Sequence, residues 1–383
     1  MNEILILLIV LGIIGGISAF IVIRTRRIMP YVYCGARVSA WEAKLFSDTR
    51  LDELSESPNT ERVLGALEDT DYRPYISDIS REEGVDVEEV ERALNYCLND
   101  TYQELIEMTP EERRDIVEKI VERINVRNLQ AILTGVEKEI PKEDRMKVLT
   151  PSPTLPEDKL EMLASAENLD RILEYLEESE YYDTLSETME EGYAEWGVSA
   201  LIWALDGFYY SNLWENIRTK KAQRSILEKM IGIELDAINI KLILRLKKED
   251  VHPGTIAEFT VPSHLLSNEQ IERMMTAEDV QSAAEVTSDT PYGPVVQGAL
   301  QQFEETGSLF ALEKALDEEI LKMSREISLI QPFTIAPVIN YLRLKETEVR
   351  NLRTIIRLKA EEVKPEDIRN ALVRKWEIEL RPR

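Results

Sequence analysis

Three stretches of the chain share one pattern of apolar and polar positions. Each contains an asparagine followed by apolar residues one, four and five positions later. The stretches are residues 127–133, 238–244 and 350–356, and their asparagines are Asn128, Asn239 and Asn351. Positions with this spacing lie on one face of an α-helix. The pattern therefore predicts three amphipathic helices. In each, we expect the asparagine beside the buried stripe to fix helix contacts through buried hydrogen bonds.

Other landmarks recur at the same spacing of 111 to 112 residues. A proline follows each asparagine after 13 or 14 residues and should end the helix, at Pro141, Pro253 and Pro365. A unit of about 111 residues is longer than the common short helical repeats, so each copy should be a multi-helix bundle. We predict repeats over residues 29–141, 142–252 and 253–383, the last with a C-terminal tail. The periodicity fits a linear stack as well as a closed ring.

An apolar run without charges begins the chain. Residues 4–23 are uncharged, and Arg24, Arg26 and Arg27 follow them. At ~1.5 Å per residue such a helix spans about 30 Å, the thickness of one bilayer core. With the arginines as a cytoplasmic stop, residues 1–28 are predicted to anchor the chain at the cytoplasmic face of the cell membrane. The alternatives are a cleaved signal peptide, which would carry its positive charge before the run, and an untranslated extension upstream of Met29.

The overall charge and the cysteine content narrow the partners and the chemistry. The chain has 72 acidic and 46 basic side chains and a formal charge of -26, which opposes broad contact with phosphate backbones. Nucleic acid is therefore not an expected partner. The two cysteines, Cys34 and Cys97, offer neither a disulfide framework nor a metal-binding pair.

The sequence contains no motif of a catalytic or cofactor-binding site. The patterns GxxxxGK[ST], GxGxxG, GxSxG and HExxH are absent, and the two histidines, His252 and His264, flank proline-containing loops. The dense runs of carboxylates are typical of a solvated helix face. We therefore predict that the chain is not an enzyme and has no catalytic residue, cofactor, metal site or small-molecule substrate.

The repeat windows and their neighbours resemble a known family. Residues 33–40, 128–133, 236–245 and 348–359 are similar to the C subunit of the archaeal and V-type ATP synthases, the homologue of the eukaryotic d subunit. The likeness runs from about Tyr31 to Val373. The resemblance implies an all-α fold in which three pseudo-repeat helical bundles form a pseudo-threefold funnel. The prediction for this chain adds one N-terminal transmembrane helix.

The resemblance also implies a non-catalytic role in the central stalk, the rotor of an archaeal-type ATP synthase. Such a protein sits on the membrane proteolipid ring, receives the end of the D/F shaft and carries torque during ion-driven ATP synthesis. The expected partners are the proteolipid ring, the D and F proteins of the shaft, and the membrane. The alternative is a membrane-tethered helical scaffold that recruits soluble partners and does not rotate.

Overall fold

The computed structural model describes residues 2–79, 84–152, 154–220 and 223–375, and every regular element among them is a helix. The prediction of an all-α chain is therefore confirmed. In chain order the helices are α1 (Asn2–Glu42), α2 (Asp48–Ser55), α3 (Thr60–Leu67), α4 (Arg73–Ile76), α5 (Val87–Met108), α6 (Glu111–Val121), α7 (Arg123–Glu137), α8 (Lys142–Lys147), α9 (Glu157–Ala164), α10 (Leu169–Tyr175), α11 (Tyr182–Glu191), α12 (Tyr193–Trp196), α13 (Val198–Thr219), α14 (Arg224–Lys248), α15 (Pro253–Glu258), α16 (Asn268–Thr276), α17 (Val280–Glu285), a 3-10 helix (Val286–Asp289), α18 (Gly293–Thr306), α19 (Phe310–Ile330), α20 (Ala336–Ala360) and α21 (Pro365–Ala371).

Two kinds of long helix alternate along the chain. The axial helices α7, α14 and α20 carry the three asparagines, and the flanking helices α5, α13 and α19 precede them. Each axial helix packs along the flanking helix of the next copy: α7 on α13, α14 on α19, and α20 back on α5. This order of contacts is cyclic, so the last axial helix meets the first flanking helix.

The N-terminal helices complete the third copy. Short helices α8–α11 follow α7, and α15–α18 follow α14, whereas α21 alone follows α20 as far as residue 375, where the described part of the chain ends. The missing positions are taken by α2, which packs on α20 and α21, by α3 on α20, and by α4 on α5. Leu51 and Leu54 of α2 are buried in the same core cluster as Leu352 of α20. Burial of each such leucine is worth about 1.5–3 kcal/mol, so this contact holds the two ends of the chain together.

The three axial helices end in the same way. A residue with positive φ follows each helix, at Glu139 (52°), Asp250 (57°) and Glu362 (57°). The next residue then donates its N–H to a carbonyl five residues back, as in a Schellman motif. These bonds are Ile140 N to Gly135 O (2.8 Å), Val251 N to Leu246 O (2.9 Å) and Val363 N to Leu358 O (2.9 Å). The predicted prolines come directly after these turns and start or cap the next helix.

The predicted transmembrane anchor is wrong. No helix within the described part of the chain is both long enough and apolar enough to cross a membrane. The side chains of residues 1–7, 9 and 10 lie outside the described residues. Part of the predicted span, residues 4–23, therefore lies outside the described side chains.

The predicted location at the cell membrane depended on that anchor and is corrected with it. In the structure, residues 11–23 form part of a single helix, α1, that continues to Glu42. Their side chains are exposed, and close packing against the rest of the chain begins at Tyr31. Without a membrane span, Arg24, Arg26 and Arg27 do not mark its cytoplasmic end. These three arginines are exposed on the free part of α1.

Candidate functional site

The three repeat asparagines make the same pair of hydrogen bonds. Each is buried, and its amide nitrogen donates to the carbonyl of the residue 22 positions later, whose N–H donates back to the amide oxygen. The outgoing and returning distances are 2.7 and 3.0 Å between Asn128 and Thr150, 2.8 and 2.9 Å between Asn239 and Val261, and 2.8 and 3.0 Å between Asn351 and Val373. One side chain therefore satisfies both backbone groups of a buried loop residue.

A second set of equivalent polar residues lies three positions before each asparagine. Asp236 accepts hydrogen bonds from the N–H groups of His264 (2.8 Å) and Leu265 (2.7 Å), and from the hydroxyl of Tyr292 (3.0 Å). In the third copy, Glu348 accepts from Phe46 N (2.6 Å) and Tyr72 hydroxyl (2.7 Å). The first copy has Asn125, which accepts from Ser152 Oγ (2.5 Å). Besides Lys345 of the same helix, the donors to Glu348 come from the N-terminal segment, which again closes the ring.

The axial helices meet at a triad of charged residues. Arg123 of α7 forms ion pairs with Glu234 of α14 and Glu346 of α20. These three residues stand five positions before the three asparagines, so they occupy equivalent sites in the three copies. Arg343 of α20 adds an ion pair to Glu234 (2.9 Å), and the hydroxyl of Tyr102 donates to Glu346 (2.6 Å). The triad therefore joins all three axial helices by polar contacts around one point.

The charges of the triad depend on each other. Burial raises the pKa of Glu234, but Arg123 and Arg343 outweigh it and lower the value to about 2. Burial lowers the pKa of the Arg123 guanidinium, and the carboxylates of Glu346 and Glu234 outweigh it and raise the value well above its usual range. Both groups are therefore ionised at neutral pH. Loss of either charge would leave a partly buried partner uncompensated.

Beyond the triad, the faces of the axial helices that look toward one another are open. Residues four, seven and eleven positions after each triad residue lie on the same helix face. We call these nine residues the axial stripe: Arg127, Gln130, Thr134, Ile238, Lys241, Arg245, Arg350, Arg353 and Arg357. None of them is fully buried, and four of the arginines are exposed. The asparagines, one position further than Arg127, Ile238 and Arg350, point about 100° away into the packed exterior of each bundle.

At the opposite end of the axial helices, α1 contacts two turns. The first turn lies between α5 and α6, and the third turn lies between α19 and α20. The Tyr31 hydroxyl donates to Glu112 after the first turn (2.6 Å), and Cys34 Sγ donates to Met108 O (3.0 Å). At the third turn, a Cβ on Gly35 would lie 3.1 Å from the carbonyl oxygen of Pro332, so a larger residue there would force the turn away. The helix α1 is therefore held by two of the three copies at once.

Comparison with known proteins identifies the family. Residues 35–371 of the 383 match the family described as ATP synthase (C/AC39) subunit. The chain belongs to the C/AC39 family. A C/AC39 relative from Methanocaldococcus jannaschii, named as the C subunit of an A-type ATP synthase, is 30% identical over 371 residues, which cover 96% of this chain and 93% of the relative. The resemblance seen in the sequence is confirmed, and this chain is an ATP synthase subunit.

Two further C/AC39 relatives carry the same name. The one from Methanothermobacter thermautotrophicus is 30% identical over 364 residues, which cover 92% of each chain. The one from Pyrococcus horikoshii is 29% identical over 344 residues, which cover 90% of each chain. The likeness extends over nearly the whole length, including all three copies of the axial helix.

The repeat pattern in the sequence pointed to the asparagines but not to the triad or to the residues three positions before each asparagine. The signal was present, because Arg123, Glu234 and Glu346 recur at the same 111 to 112 spacing. It was hidden because the three copies share the position but not the charge: one copy has a cation and two have anions. The assignment of Asn128, Asn239 and Asn351 as shared structural positions, and the repeat boundaries, stay predictions.

Proposed function

We propose that this chain is a non-catalytic central-stalk subunit, part of the rotor of an archaeal-type ATP synthase. It couples the membrane proteolipid ring to the D/F shaft during ion-driven ATP synthesis. Membership in the C/AC39 family supports the complex, and the names of the relatives support the A-type enzyme. The specific role in rotation is inferred from the architecture.

The observation that carries the proposal is the cyclic packing of the three axial helices. A coupler transmits torque only if twisting one end turns the other without unwinding the chain between them. Here α7, α14 and α20 are each braced by the flanking helix of the next copy, and the triad cross-links them at the axis. Because the N-terminal helices complete the last copy, the ring has no loose seam. Close-packed interiors are stiff, and this one is closed on itself.

The two ends of the axial helices differ in a way that suits two partners. At the turn end, three apolar side chains are exposed: Leu329 (59%) and Ile330 (74%) at the end of α19, and Phe333 (57%) in the turn before α20. We assign this end to the proteolipid ring, because exposed apolar side chains mark protein contacts. The other end presents the axial stripe, an open and mostly polar face. We assign that end to the D/F shaft.

Reconstitution tests the proposal. The purified chain should bind purified D/F in a 1:1:1 complex and should bind detergent-solubilised proteolipid ring independently. ATP synthase assembled without this chain should still hydrolyse ATP in its head but should lose ion-driven synthesis, which the added chain restores. ATP hydrolysis by the chain alone would contradict a non-catalytic role. Full synthesis after cross-linking the chain to a stationary part of the complex would contradict rotation and favour a fixed scaffold.

A further inference from the structure

All the charged residues of the axial stripe are basic. Six of its nine residues are cations, three are uncharged, and none is acidic. The whole chain, by contrast, has 72 acidic and 46 basic side chains. The cations come from all three axial helices: one from α7, two from α14 and three from α20. A positive lining therefore sits at the centre of a strongly negative protein.

The carboxylates that face the stripe from the flanking helices are fewer than its cations. Asp317 pairs with Lys241 and with Arg350 (2.8 Å), and Glu313 pairs with Arg245 (2.8 Å). Glu91 pairs with Arg357. The fourth carboxylate, Asp206, has its pKa raised by burial, against a hydrogen bond from Gln130 and the positive charges of Arg123, Arg127 and Arg245. Four of the six cations, Lys241, Arg245, Arg350 and Arg357, are thus ion-paired, and the described residues show no ion pair for Arg127 or Arg353.

Within the described residues, the structure shows no hydrogen-bond or ion-pair partner for Arg127 and no hydrogen-bond partner for the Nε of Arg353. Arg127 is exposed and makes no hydrogen bond or ion pair with any residue that the structure describes. Arg353 is partly buried, and its Nε has no hydrogen-bond partner among those residues. Burial lowers the pKa of Arg353, and the positive charges of Arg127 and Arg357 lower it further, whereas Glu91 opposes them. The exposed guanidinium of Arg127 is ready to bind a carboxylate from outside, and Arg353 adds positive charge beside it.

The helix dipole does not explain the presence of Arg127 and Arg353. Cations in the last turn of a helix offset the negative end of its dipole, which accounts for Arg245 and Arg357. Arg127 lies ten residues before the end of α7, and Arg353 lies seven residues before the end of α20. Dipole effects fall off within one turn, so they do not reach these positions.

We infer that the axial stripe is the docking surface for an acidic helix end of the shaft, with Arg127 as the arginine that binds its carboxylates and Arg353 as a second positive charge that attracts them. This inference rests on the proposed function and gives its shaft-binding end a chemistry. Arginine is the residue best suited to this contact, since its planar guanidinium binds a carboxylate through two hydrogen bonds. In the open centre between three helices, the contact is partly shielded from water, which strengthens it.

The size of the surface favours a protein helix over a small anion. From the triad to the last residue of the stripe, each axial helix rises about 16 Å, since eleven residues advance ~1.5 Å each. The cations are spread along that length and over three helices, whereas a phosphate group contacts only a few donors at one point. A helix about 10–12 Å across, with several carboxylates near its end, matches this spread.

The test is a binding measurement with purified D/F shaft as the probe. At low ionic strength, Arg127→Glu should weaken D/F binding at least tenfold, and Arg127→Gln should weaken it less. Arg62→Glu is the matched control: Arg62 is also an exposed helical arginine, and its guanidinium makes no ion pair with the described residues. We expect it to change binding less than twofold. Wild-type binding should weaken as salt rises, and the Arg127→Glu variant should show a shallower salt dependence.

A charge exchange makes the test sharper. An Asp→Arg or Glu→Arg substitution in the end of the shaft should weaken binding to the wild-type chain and restore binding to Arg127→Glu. Unchanged thermal unfolding of each variant shows that the fold is intact. If Arg127→Glu binds D/F as well as wild type does, the inference is overturned while the proposed function stands. If the wild-type chain does not bind D/F, the proposed function itself fails. Competition by millimolar inorganic phosphate at constant ionic strength would instead identify a small-anion site and overturn the helix-end assignment.

Discussion

Asn128, Asn239 and Asn351 show how a single side chain determines a local structure. Each amide satisfies one buried N–H and one buried C=O of the same loop residue, which takes a side chain that both donates and accepts. Leucine at these positions would fit the apolar surroundings in size. It would leave the buried N–H and C=O of the loop residue without partners, and an unpaired buried polar group is costly.

At this scale we predict that Asn239→Leu lowers the free energy of unfolding by about 2 kcal/mol, since stranding a buried polar group costs ~1–3 kcal/mol. Urea unfolding followed by circular dichroism measures the change. Asn370→Leu is the control: Asn370 lies at the surface on α21, so its replacement should stay within about 0.5 kcal/mol. Equal effects at Asn239 and Asn370 would show that the paired hydrogen bonds contribute little.

At the scale of the element, each axial helix is followed by a residue with a strained backbone conformation, which glycine would adopt without strain. Glu139, Asp250 and Glu362 hold positive φ angles, which a residue with a Cβ adopts at a cost. Their side chains are exposed. The same conformation in all three copies shows that the turn geometry is required, because it aims the chain from the axial helix into the short helices that brace it.

We predict that Glu139→Gly, Asp250→Gly and Glu362→Gly each raise the free energy of unfolding by about 0.5–1 kcal/mol, because glycine adopts the left-handed conformation freely. The gain is smaller than the strain because glycine also loosens the unfolded chain. Lys138→Gly is the control, since Lys138 has φ of −88° and gains nothing from glycine. Thermal unfolding should move upward for the three variants and downward for the control; the same direction for all four would contradict the prediction.

At the scale of the whole molecule, the triad of Arg123, Glu234 and Glu346 links three helices that are separated by more than a hundred residues each. A folded-state pKa of Glu234 of about 2, below its ordinary value of 4.5, means that folding favours its charged form. The contribution to stability is fully present above pH 4.5 and is lost as pH falls toward 2. A shift of that size corresponds to about 3 kcal/mol at most.

We therefore predict that Glu234→Gln destabilises the chain by about 2–3 kcal/mol at pH 7, because Arg123 and Arg343 lose a charged partner. The difference between wild type and variant should shrink as pH falls from 4.5 to 2. Denaturant unfolding at a series of pH values measures it. Glu187→Gln, at a solvent-accessible position on α11, is the control and should change the free energy of unfolding at pH 7 by less than about 0.5 kcal/mol. A constant difference across the pH range would mean that Glu234 is not held in its charged form by folding.

The sequence by itself determined the local features of this protein. Periodic apolar positions specify helix faces, prolines specify helix ends, and the recurrence at 111 to 112 residues identifies equivalent positions, because all of these depend on neighbours within a few turns. The cyclic order depended on the tertiary structure. Two donors to Glu348, Phe46 and Tyr72, lie about three hundred residues away, and no local pattern pairs them with it.

The charged centre was likewise decided by tertiary structure. Arg123 and two glutamates look like ordinary solvated residues along the chain, and only the convergence of three helices turns them into one network shielded from water. At the start of the chain, the local pattern led to a wrong prediction. Hydropathy alone predicted an independent membrane span, whereas folding makes residues 11–23 part of one long helix whose far end packs among the copies. Apolar character is a property of the segment, but what a segment packs against is a property of the whole fold.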